Sequence, residues 1–122
     1  MENVSEPLQL QSIQSLQSTI RKSENALAQM TQKGANTTLI EKRLKALHIG
    51  LSMLENVWHH KPHPYTRGDL TEARNVLTSL MPSIENAFTK TNEGSPQRTL
   101  LKRRIQALEL AVQAIDDQLN NN

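Results

Sequence analysis

Apolar residues recur at alternating steps of three and four along four separate stretches of this chain, and that spacing permits little except α-helix. The first stretch, from about Leu8 to Lys33, carries Ile13, Leu16, Ile20, Leu27 and Met30 on one face. The second, from about Leu39 to His60, carries Ile40, Leu44, Leu47, Leu51, Leu54 and Trp58. The third, from about Leu70 to Lys90, carries Leu70, Ala73, Leu77, Leu80, Ile84 and Ala87. The fourth, from about Pro96 to Leu119, carries Leu101, Ile105, Leu108, Val112, Ile115 and Leu119. Each stripe is narrow, as suits helices packed side by side.

The signals between the stripes agree with this division. Gly34 follows the first stretch as a stop. Thr38 with Glu41, and Asp69 with Glu72, read as capping boxes for the second and third helices. Pro62 and Pro64 end the second helix. Ser95 before Pro96 reads as an N-cap with proline at the first helical position. Pro82 lies inside the third stretch and predicts a kink or a short break.

Two of these helices look like copies of each other. The segment from Thr38 to Leu47 aligns with the segment from Thr99 to Leu108, sharing Thr, Leu, Arg, Ala and Leu in one register. The first and third stretches match only in stripe spacing. Matched lengths and short connections then predict an all-α fold: an antiparallel up-down-up-down four-helix bundle made of two tandem helical hairpins. One domain is expected over 1–122, with 1–7 and 120–122 frayed.

Composition removes several classes of function. The chain has no cysteine, which excludes disulfides, thiolate zinc sites and cysteine nucleophiles, and a cytoplasmic location is expected. No apolar run is long enough for a membrane span, so no membrane partner is expected. One Trp, one Tyr and one Phe are too few for a stacking surface built on aromatic rings. The chain looks like many small helical proteins of bacterial type, without a diagnostic motif.

The net charge is only +2, but its distribution is uneven. Alternating helix directions place Lys33, Lys42, Arg43, Lys45, Lys90, Arg98, Lys102, Arg103 and Arg104 toward one end of the bundle, and Glu6, Glu55, Asp69, Glu72, Asp116 and Asp117 toward the other. Cations near helix N-termini oppose the macrodipole, so this basic end is a candidate binding surface. The candidates are Lys42, Arg43, Lys45, Arg98, Lys102, Arg103 and Arg104, for an acidic protein partner or for nucleic acid phosphates.

His59, His60 and His63, with Asp69 nearby, are weak candidates for zinc or nickel; their prolines break the helical spacing that ligand pairs use. No Glu-x-x-His pair, phosphate loop or nucleophile triad is present. No cofactor is expected. The chain therefore reads as a non-enzymatic helical protein–protein interaction module, with a protein partner or a second copy of itself. Nucleic-acid or anion binding at the basic end is the alternative, and metal-dependent activity at the His loop a second.

Overall fold

A computed structural model describes Met1 and residues 3–121. Among them are four α-helices and no strand: α1 Glu6–Gln32, α2 Thr38–His59, α3 Arg67–Thr89 and α4 Pro96–Asn120. No helix among the described residues is long and apolar enough to cross a membrane. Of the termini expected to fray, Glu2 and Asn122 lie outside the described residues.

Local chemistry sets the helix ends. Ser5 caps α1, accepting from the Leu8 N–H, so the helix starts two residues before the expected Leu8. At its other end Gly34 takes φ +71°, and the N–H groups of Gly34 and Ala35 donate to the carbonyls of Thr31 and Met30. That is the Schellman pattern, which needs a left-handed residue and so favours glycine. His60, at φ 57°, performs the same role for α2 without being glycine.

Two expected capping boxes are corrected. The N-cap of α2 is Thr37, not Thr38, and makes no side-chain cap; its hydroxyl hydrogen-bonds to the Glu41 carboxylate at 2.7 Å. The box on α3 is Thr66 with Asp69, one turn before Asp69 with Glu72. Ser95 and Pro96 start α4 as expected. Helix α3 runs unbroken through the exposed Pro82, so no break splits it there.

Contacts between helices fix their directions. Val57 and Trp58, late in α2, share a cleft with Glu6 and Gln9, early in α1, while His48 approaches Glu24. Arg74, early in α3, binds Asp116, late in α4, and Arg98 at the start of α4 reaches the end of α3. Neighbouring helices are thus antiparallel. The diagonal pair α2 and α4 also touch, whereas α1 and α3 do not. The bundle in cross-section is a rhombus with α2–α4 as its short diagonal.

This geometry explains the core. Helices α2 and α4 each face three neighbours and bury six residues; α1 and α3 each face two and bury three. Leu47, Leu54, Leu108 and Ile115 come from the stripes. Ala46, Ile49, Gly50, Met53, Ala107, Ala111 and Ala114 lie beside them and are buried too, and Gly50 meets Ala111 across the diagonal. Gly50 is the tightest point. A Cβ there would lie 3.2 Å from Ala111 Cβ and 3.2 Å from Leu77 Cδ1.

The repeat extends through all four helices. Glu6 and Arg67 start α1 and α3, and His59 and Asn120 end α2 and α4; both pairs are 61 positions apart. At that same offset stand the caps Ser5 and Thr66 and the buried pairs Ser12/Ala73, Leu16/Leu77, Ala46/Ala107, Leu47/Leu108, Met53/Ala114 and Leu54/Ile115. Gly50 and its own counterpart Ala111 meet at the diagonal, which places the pseudo-two-fold axis through that contact. Helices α1 and α3 therefore match in more than stripe spacing. Glu24-Asn25-Ala26 recurs as Glu85-Asn86-Ala87 at the same offset.

Leu108→Ala should cost about 2–5 kcal/mol by leaving a cavity. Gly50→Leu should cost at least about 1–3 kcal/mol by forcing the diagonal apart. Leu100→Ala, at a side chain 51 % exposed, should stay within about 0.5 kcal/mol. Urea unfolding midpoints measure all three, and an unchanged midpoint for either buried change would contradict the rhombic core.

Candidate anion-binding groove

The basic candidates do not form one patch. The linker from His60 to Thr66 runs back along α2, with the Tyr65 hydroxyl 3.4 Å from Ser52 Oγ. It thereby sets the start of α3 beside the first half of α2. Asp69 Oδ1 lies 3.8 Å from Lys45 Nζ, and Asp69 and Glu72 share a groove with Lys42 and Lys45. The expected separation of these acids from these lysines is corrected: they face each other across α2–α3.

Asp69 owes its environment to the cap. The Thr66 backbone N–H holds its carboxyl below the usual aspartate range; desolvation opposes this, and the Thr66 hydroxyl and then the Lys45 charge add smaller effects in the lowering direction.

Arg98 has structural work. Its Nη1 donates to the Thr91 carbonyl at 3.3 Å and the Phe88 carbonyl at 3.5 Å, and its guanidinium lies 4.1 Å over the Phe88 ring. It closes the carbonyl end of α3 and covers Phe88. Lys102 lines a cleft between α3 and α4 together with Glu85 and Glu109. Arg43 is exposed.

Arg103 and Arg104 differ from all of these. They line a groove between α1 and α4 with Lys22, Gln11, Gln14, Ser15, Ser18 and Leu100. Its volume is about 150 Å³. Three cations border it and no carboxylate does. Arg104 Nε is buried with no hydrogen-bond acceptor, and Lys22, Arg103 and Arg104 make no ion pair among the described residues. A buried donor without a partner costs about 1–3 kcal/mol. Leu100 stands exposed on the rim.

Lys22 and the polar wall of α1 were not among the sequence candidates, because Gln and Ser on an outer face read as a solvated surface. A signal was present nonetheless. No Asp or Glu occurs between Glu6 and Glu24, nor between Glu93 and Glu109. The fold lays these two acid-free stretches against each other.

The histidines take separate places. His59 and His60 are exposed, and His60 is committed to the left-handed end of α2. His63 stacks on Tyr65 at 5.9 Å, and its Nδ1 accepts from the Tyr65 N–H at 3.2 Å. Among the described residues no three His, Asp or Glu side chains gather in a way that could hold a metal ion. Trp58 and Tyr65 pack, half-buried, against the core.

The chain matches no protein-family profile, no curated protein and no solved structure.

Because the folded pKa of Asp69 lies below its unfolded value, its carboxylate stabilises α3 fully at neutral pH and loses that contribution as pH falls through the folded value. The stability gap between the wild type and Asp69→Asn should be widest near neutrality and close on acidification. A gap undiminished at about pH 2 would mean that charge is not its cause.

Proposed function

We propose that the protein is a non-enzymatic helical interaction module that docks an acidic segment of a partner protein in the α1–α4 groove, and that it acts in the cytoplasm, a compartment its cysteine-free composition suits. One observation carries this reading: Lys22, Arg103 and Arg104 border a single open groove that contains no carboxylate. Cations held together without counterions repel one another, and an incoming carboxylate relieves that repulsion while forming charge-assisted hydrogen bonds with the arginine forks. The exposed Leu100 on the rim offers an apolar contact beside the charges.

The surroundings favour a protein segment over nucleic acid. Base stacking needs aromatic faces. Phe88 is covered by Arg98, Tyr65 is stacked on His63, and Trp58 packs against the core at the α1–α2 cleft. None of them borders the groove.

Fluorescence anisotropy with a labelled oligoglutamate peptide tests the reading, beside an oligodeoxythymidine of equal charge. The wild type should prefer the peptide. Arg103→Glu/Arg104→Glu should weaken peptide binding at least about tenfold, since each charged hydrogen bond contributes about 1.5–3 kcal/mol. Equal binding by the variant, or preference for the oligodeoxythymidine, overturns the proposal.

A further inference from the structure

The molecule contains a second version of this groove. Under the 61-residue repeat the α1–α4 groove corresponds to the groove between α2 and α3. Three equivalent pairs line both: Arg103 with Lys42, Gln11 with Glu72, and Ser15 with Val76. The α2–α3 groove has only about 10 Å³ of free volume, against about 150 Å³ in its twin. The facing walls differ in charge. Helix α3 contributes Glu72 and Asp69, and Asp69 lies against Lys45. Helix α1 has Gln11 and Leu8 at those two positions.

We infer that the α2–α3 groove is a self-occupied copy of the α1–α4 site, and that Gln11 is the specificity-determining residue that leaves the α1–α4 groove open to the carboxylates of a partner. This rests on the reading of the α1–α4 groove as the docking site. In one copy the chain supplies its own acids: Asp69 lies 3.8 Å from Lys45, Glu72 lines the groove beside Lys42, and the groove is nearly full. In the other an amide stands where the acid would be, and the cations stay unmatched. The occupant of the filled copy is carboxylate, and this names the chemistry of the missing one: acidic side chains of a protein segment. A glutamate at position 11 has the reach and charge of Glu72, so it would sit among Lys22, Arg103 and Arg104 as an internal competitor.

Gln11→Glu therefore tests the inference by two independent readouts, with Gln11→Ala as the control for lost contact. At low salt Gln11→Glu should raise the melting temperature by about 1–4 °C, and high salt should erase the gain. The same change should weaken oligoglutamate binding about tenfold, and Gln11→Ala, which removes the amide without adding a charge, should weaken it far less. Wild-type-like binding by Gln11→Glu, or equal loss in Gln11→Ala, overturns the inference while the docking site stands. If the wild type itself fails to bind oligoglutamate, the docking reading falls and takes the partner's role with it. The melting shift then decides what is left: a salt-dependent gain upholds Gln11 as the residue that keeps the groove's charge unmatched, and no gain overturns that too.

Discussion

The approach of α2 to α4 at Gly50 and Ala111 is the constraint on which the other features depend. Two helices on the diagonal of a bundle normally stand apart, because large side chains fill the centre. Here Gly50 faces Ala111 at the centre, and the backbones close on each other instead. Closing one diagonal opens the other, so α1 and α3 lose contact. They become flanking helices that each cover one side of the α2–α4 pair. The seams α1–α4 and α2–α3 follow from that arrangement, and so does the burial of six residues on each central helix against three on each flanking one.

How much of this was legible depended on residue size. Large apolar residues at helical spacing located all four helices and the main core positions, since a Leu or Ile stripe is hard to satisfy any other way. Alanine and glycine carry no such signal. They look neutral in a pattern and acquire meaning only when two backbones meet, so the diagonal was not visible. The caps show a related limit. Thr66, Asp69 and Glu72 are spaced three apart, and two overlapping capping boxes fit the same letters. The structure selects Thr66 with Asp69, in a linker where Tyr65 is held against Ser52 and His63. The repeat was legible in α2 and α4, whose starts share apolar and basic residues. It was hidden in α1 and α3, where only Ala87 of the shared Glu-Asn-Ala falls on a stripe.

Charge was the least legible property, because it depends on how far a linker returns. Reading the connection between α2 and α3 as a simple reversal puts Asp69 and Glu72 at the opposite end from Lys42 and Lys45. The actual linker doubles back along α2 and brings them together. One apparent basic end then resolves into four situations: an acid-lined groove at Lys42 and Lys45, a carbonyl clamp at Arg98, a lysine beside glutamates at Lys102, and a groove without acids at Arg103 and Arg104. The acid-free runs in α1 and α4 were readable in the letters, but their significance required knowing that those two helices face each other.

The duplicated architecture gives the unmatched groove its meaning. An isolated cluster of cations on a small helical protein is ordinarily a solvated face, and nothing about it demands a partner. The twin groove changes that comparison, since it holds equivalent backbone, an equivalent cation at Lys42, and acids on the facing wall. The fold therefore accommodates an acid-lined version of the same seam. Arg104 Nε is buried and unsatisfied beside Lys22 and Arg103, whereas its counterpart Arg43 is exposed. Local departures from electrostatic consistency, made where the same fold offers a consistent solution, are where function is expected to reside. Symmetry in the core and asymmetry in the seams then belong together: the buried pairs maintain two like halves, and the two walls of α1 and α3 are free to diverge because neither touches the other.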